Sequence, residues 1–192
     1  MRDVPNQLML EHWLSGAPDD RTAHLVRDAA RGLSRSLQLR LAQHELSFGH
    51  WQFLRVLWEG DGLSQTDLSA AVGVMEPTTV AALKTMEMLG LIERRKRLGN
   101  RKKIHVYLTP AGRTLKAKLV PLAVEVNEIA LRGVKAADAA AMRRALLAMV
   151  VNLAEDEAAA IGLQMRIPST REVARARAAS GHQRRESGKL PS

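Results

Sequence analysis

Residues 62–74 read Gly62-Leu63-Ser64-Gln65-Thr66-Asp67-Leu68-Ser69-Ala70-Ala71-Val72-Gly73-Val74. Residues 77–95 read Pro77-Thr78-Thr79-Val80-Ala81-Ala82-Leu83-Lys84-Thr85-Met86-Glu87-Met88-Leu89-Gly90-Leu91-Ile92-Glu93-Arg94-Arg95. Ser64-Gln65-Thr66-Asp67 has the form of a capping box with Asp in place of Glu: the serine hydroxyl accepts from the amide three residues on. It predicts a short helix from Asp67 to about Val72, which Gly73 ends. Pro77 suits the first position of a second helix, where a missing N–H costs nothing. That helix runs to Leu89, with Gly90 as its C-terminal glycine. Leu91–Arg95 and Ile104–Leu108 read as two strands joined through the turn Leu98-Gly99-Asn100. On a 3.6-residue helix, Thr79, Val80, Leu83, Met86 and Glu87 lie within about 60° of one direction. Leu83 and Met86 are read as core anchors with Val80 beside them. Thr78, Ala81, Thr85 and Met88 lie on the other side, with Lys84 at its edge.

Outward from this tract, Ser47 caps a predicted helix through Trp51, Leu54, Val56, Leu57 and Trp58, broken by Gly60-Asp61-Gly62. Upstream, Leu25, Ala29, Leu33, Leu37 and Leu41 recur every four residues, the stripe of a long amphipathic helix over 21–45. Asp19-Asp20 supplies its cap and acidic first turn. A short helix is predicted over 4–15. Downstream, Thr109 and Pro110 open a helix carrying Leu115, Leu119, Leu122, Val126 and Ile129, which Pro121 is expected to kink or split. Gly133 interrupts, and an Ala- and Leu-rich helix covers about 137–160. Beyond Pro168 the chain is Ala-, Arg- and Ser-rich without a bulky apolar stripe, either a fraying helix or disorder.

The 192 residues carry 29 Lys and Arg against 20 Asp and Glu, a formal charge of +9. The excess is concentrated. Residues 93–103 hold seven basic side chains and one acidic, and residues 166–192 hold seven and two. A surplus of this kind suits a polyanionic partner. The absence of Cys removes disulfides, thiolate catalysis and Cys-ligated metal sites. No stretch approaches the roughly 20 apolar residues of a membrane span, and the N-terminus does not read as a secretory signal. The expected location is the cytoplasm.

Three helices, two strands and a basic turn follow in order within residues 49–108, the outline of a winged helix-turn-helix. The expected fold is therefore mainly α, with a two-stranded β wing. The segments Leu46–Leu57, Gly62–Leu68, Gly73-Val74, Pro77-Thr78, Gly90–Arg94 and Leu108–Arg113 closely resemble the MarR family of bacterial transcriptional regulators, over roughly residues 20–155. The resemblance implies a homodimer in which the first long helix and the two C-terminal helices intertwine with those of the partner. It also implies two half-sites in a pseudo-palindromic double-stranded operator. The domains expected are 1–45, N-terminal helices for dimerisation and ligand; 46–109, the DNA-binding domain; 110–165, C-terminal dimerisation helices; and 166–192, a basic tail. DNA contacts are expected from Ser64, Gln65 and Thr66; from Thr78, Thr79, Lys84 and Thr85; and from the wing residues Arg94, Arg95, Lys96, Arg97, Asn100, Arg101, Lys102 and Lys103. The chain departs from the family at two points. Val80-Ala81 stands where the family often has Thr-Arg, and Asn100-Arg101 where it usually has Asp-Arg.

Many relatives release DNA when a phenolic or other aromatic acid binds between the dimerisation helices and the winged domain. The candidates here are Trp13, His24, Arg27, Arg31, His50 and Trp51: rings to sandwich a ring, cations to hold a carboxylate. Taken singly, Trp51, Phe53 and Trp58 read as core, and Arg27 and Arg31 as surface or ion-paired. No enzyme reading survives. Gly60-Asp61-Gly62 is not a phosphate loop, His44-Glu45 lacks the second His of a zinc protease, and the scattered histidines call for no metal or cofactor. The function expected is a dimeric repressor released by a small aromatic acid or its thioester. The alternatives are an effector-independent architectural or activating DNA-binding protein, or a module holding an acidic protein partner.

Overall fold

A computed structural model describes Glu11, residues 22–97 and residues 100–163; for Arg97, Asn100, Arg101 and Lys102 it describes the backbone alone. The expected helix over 4–15, Trp13, the Leu98-Gly99 turn and the basic tail lie outside the described residues. The chain divides into two units between Arg132 and Gly133.

In the first unit, α1 (Thr22–Leu41) continues as a 3-10 turn, Ala42–His44, and α2 spans Phe48–Glu59. Then follow β1 (Leu63–Ser64), α3 (Gln65–Val72), α4 (Glu76–Met88), β2 (Ile92–Arg97), β3 (Asn100–Leu108) and α5 (Pro110–Ala130). The second unit holds α6, Ala136–Gly162, none of whose residues is buried.

The helix boundaries follow local chemistry. Ser47 caps α2 by accepting from the His50 amide at 3.1 Å, while His50 Nδ1 accepts from the Ser47 amide at 3.3 Å. This is a capping box with His in the position usually held by Glu or Gln. Thr109 Oγ1 accepts from the Gly112 amide at 3.1 Å and opens α5. Pro121 neither ends nor splits that helix, which runs unbroken to Ala130. A single missing N–H removes one helical bond, and its neighbours persist.

The sheet differs from the expectation. Leu63 and Ser64 pair with Val106 and His105, adding a third antiparallel strand in the order β1-β3-β2. Two residues carry no readable alternation, so sequence patterning gives no signal for β1. β2 and β3 also reach further into the basic run than expected. Their ladder is made of backbone bonds, which form whatever the charge of the side chains.

One core joins the elements of this unit. Leu37 and Leu41 of α1, Trp51, Phe53, Leu54 and Leu57 of α2, Leu68 of α3, Leu83 and Met86 of α4, Ile92, Val106 and Leu108 of the sheet, and Leu119 and Val126 of α5 are all buried. Trp51 and Trp58 meet edge to face with centroids 5.6 Å apart. Arg40 fastens α1 to α5, its guanidinium donating to both Glu125 oxygens at 2.7 and 3.1 Å.

Candidate nucleic-acid interface

The helix-turn-helix is set by two serines. Ser64 Oγ accepts from the Asp67 amide at 3.2 Å and donates to Asp67 Oδ2 at 2.6 Å. That hydroxyl holds the Asp67 carboxyl below its ordinary range. Ser69 accepts from Thr79 at 3.0 Å and donates to the Val74 carbonyl at 2.7 Å. This buried relay ties α3, the turn and α4 together. Gly73 ends α3 with φ +74°, the left-handed region where glycine escapes the Cβ penalty. Helix α4 begins at Glu76, so Pro77 occupies its second position, one later than expected. Its missing N–H still costs nothing there, because the amides of a helix's first turn have no helical acceptors.

These contacts correct three expectations. Thr79 is 1% exposed and bonded to Ser69, so it is a fixing point of the helix pair and not a groove contact. Ser64 is buried as the α3 cap and has no free hydroxyl for DNA. Val80, expected beside the core, is 47% exposed. On the helical wheel the buried seam centres on Thr79, Leu83 and Met86, and Val80 lies about 100° from Thr79. Thr79 wins the inward place because Ser69 satisfies its hydroxyl, which removes the cost of burying it.

The opposite side of α4 is open. Pro77, Ala81, Lys84 and Met88 run along it, with Thr78 exposed at one edge and Val80 at the other. Thr85 is half-buried and donates back to the Ala81 carbonyl at 3.3 Å. Thr66 on α3 is exposed; Gln65 is half-buried, and its Nε2 has no acceptor among the described residues.

The wing rises beside this helix. Arg94 pairs with Val106 and Arg95 with His105, and the register breaks between Lys96 and Arg97. Arg94 is not a free cation. Its Nε and Nη2 donate to Glu87 Oε2 at 2.9 and 2.5 Å, and its amide donates to Oε1 at 3.3 Å. The pair locks the end of α4 to β2 and holds the Glu87 carboxyl below its ordinary range. Sequence reasoning missed this clamp, because Glu87 and Arg94 flank a turn and no periodicity links them. Arg95 pairs with Glu93, stacks over the Tyr107 ring at 5.6 Å and keeps 62% of its side chain exposed. Lys96 and Lys103 are exposed. The expected contacts Arg97, Asn100, Arg101 and Lys102 have side chains outside the described residues.

The expected effector residues are not brought together as one described site. His24, Arg27 and Arg31 share a face of α1 at helical spacing and are exposed, Arg27 paired with Asp28 at 3.2 Å. His50 is engaged in the α2 cap, and burial lowers its pKa. Trp51 is in the core. Trp13 is outside the described residues.

Helices braced by buried contacts, an exposed α4 surface and a cationic hairpin define the winged helix-turn-helix class. Residues 46–104 match the model of the MarR family. The HTH-type transcriptional regulator TtmR of Methylorubrum extorquens (strain PA1) is 31% identical over 101 residues, 53% of this chain and 52% of that protein. The homoprotocatechuate degradative operon repressor of Escherichia coli is 29% identical over 90 residues, 47% of this chain and 59% of that protein. The chain thus spans between half and three-fifths of the curated relatives it matches. A MarR-family regulator of Listeria monocytogenes, solved in complex with 26-mer DNA, superposes with a TM-score of 0.64 at 22% identity, covering 80% of this chain and 99% of that one. The matched relatives are described as transcriptional regulators. Among the described residues no helix is long and apolar enough to cross a membrane.

Proposed function

We propose that the chain is a cytoplasmic, homodimeric, sequence-specific regulator that represses transcription. In this reading α4 of each protomer enters the major groove of one operator half-site, and the β2–β3 hairpin meets the flanking phosphates. One observation carries the reading: the inner seam of α4 is fully committed to the core, while its outer seam and the neighbouring Arg95, Lys96 and Lys103 stay open to solvent. A recognition helix needs that division of faces.

The dimer is supported by α6. Leu147, Val150, Val151, Leu153 and Ile161 are exposed on it, and a helix this apolar with nothing buried needs a partner surface. A second copy of the chain supplies one with closed symmetry. The domain roles follow: residues 46–109 bind DNA, the N-terminal and C-terminal helices build the dimer, and the tail 166–192 adds positive charge.

The effector in this reading is an aromatic carboxylate. The name of the Escherichia coli relative, a repressor of an operon that degrades a phenolic acid, supports it, as do the cations of α1. The test has two stages. The full chain is mixed with DNA from upstream of its own gene, with random DNA as competitor; equal competition refutes sequence-specific regulation. A panel of phenolic acids is then titrated calorimetrically. No heat and no release of DNA across the panel refutes the effector.

A further inference from the structure

The outer seam of α4 has a composition that bears on which bases it reads. Pro77, Ala81, Lys84 and Met88 lie at positions i, i+4, i+7 and i+11, on the side opposite Thr79, Leu83 and Met86. Three of the four are apolar. Val80 at the edge is 47% exposed, and Met88 is 74% exposed. Thr79 and Glu87, two polar side chains that could have read bases, are withdrawn: Thr79 bonds to Ser69 and Glu87 to Arg94. Thr85 turns its hydroxyl onto the Ala81 carbonyl. In the N-terminal half of the helix, where recognition helices contact base edges, the centre of the seam therefore offers methyl and methylene groups, with the exposed Thr78 hydroxyl at its edge.

Only one base edge in the major groove is itself apolar, the C5-methyl of thymine. We infer that Pro77 and Ala81, with Val80 at the seam's edge, read thymine methyl groups at the centre of each half-site, and that Lys84 supplies the charged contact beside them. This rests on the regulator reading above and names the base chemistry of that interface. The hydrophobic contact sets the distinction, because a cytosine or guanine edge placed against Pro77 or Ala81 loses its water without gaining a hydrogen-bond partner.

The test begins with the full chain and a random duplex library. Selected duplexes are remade with deoxyuridine in place of thymidine, position by position, and compared at one fixed salt concentration. The expected half-site carries thymines at its centre, and each methyl removed there weakens binding about fourfold, the equivalent of one buried methyl. Deoxyuridine outside the half-site leaves binding unchanged. Ala81→Arg supplies the second reading: selection shifts one central position to guanine, whose O6 and N7 accept from a guanidinium, and the deoxyuridine penalty there disappears. Enrichment of a sequence whose deoxyuridine duplex binds as tightly as its thymidine duplex overturns the methyl inference alone. Failure to enrich any sequence overturns it together with the regulator reading.

Discussion

Replacing Gly112 by Ala tests how the wing is joined to the helix that follows it. Gly112 sits in the first turn of α5, and a Cβ built there would lie 2.1 Å from the Leu91 carbonyl oxygen and 3.1 Å from Leu108 Cδ2. The obstacle is backbone, so no rotamer change relieves it. The Leu91 carbonyl also accepts from the Thr109 amide at 3.0 Å, and the Gly112 carbonyl accepts from Trp58 Nε1 at 2.9 Å. Moving α5 outward therefore strains two further bonds, each worth about 1 kcal/mol. Overpacking adds about 1–3 kcal/mol, and the better helix propensity of Ala returns at most about 1 kcal/mol. The net cost is about 3 kcal/mol, or a Tm lower by roughly 6–12 °C for a chain of this size. Gly73→Ala is the control: its φ of +74° is unfavourable for Ala, whereas Gly112 is helical, and nothing lies within 4 Å of the added Cβ. It is expected to lose only about 1–2 kcal/mol. Thermal unfolding followed by circular dichroism, at one protein concentration because a dimer's Tm depends on it, compares the two. A Gly112→Ala Tm equal to wild type, or higher than that of Gly73→Ala, refutes the packing argument.

Four further outcomes are expected. His50 must be neutral for Nδ1 to accept from Ser47, and burial lowers its folded pKa; its contribution is complete above the ordinary histidine value of 6.5 and fades as pH falls through the folded value. Urea unfolding should show this limb in wild type and not in His50→Gln, which keeps a side-chain acceptor at the same cap position. Glu87→Gln should cost no more than about 1 kcal/mol, since the carboxylate is 38% exposed; because its pKa is depressed, that loss is seen above the ordinary carboxylate value and disappears in acid. Arg95→Ala, Lys96→Ala or Lys103→Ala should each lower the salt slope of DNA binding by about 1 without changing the preferred sequence, which competition binding over a salt series measures; a changed preferred sequence would assign that cation to base readout. Removal of residues 168–192 should lower the slope while sparing the dimer, as followed by sedimentation; an unchanged slope removes the tail from DNA binding.

Much of the helix-turn-helix was legible in the residues themselves. Ser47, Ser64 and Thr109 cap the helices they were expected to cap, and Gly73 ends α3, because each of these bonds closes within a few residues. The effector candidates were legible only as chemistry. His50 and Trp51 have the right groups, but the α2 cap and the core already use them.

The chain alone thus determined the caps at Ser47, Ser64 and Thr109, which segment carries positive charge and the winged order of elements, since caps, periodicity and charge act over one or two turns. The folded structure decided the rest. It turned Thr79 inward and Val80 outward, tied Arg94 to Glu87, and gave Leu63-Ser64 a strand partner forty residues away. These outcomes depend on which group across the fold satisfies a hydroxyl, neutralises a charge or completes a ladder. That partner is chosen by packing in three dimensions, where spacing along the sequence has no say.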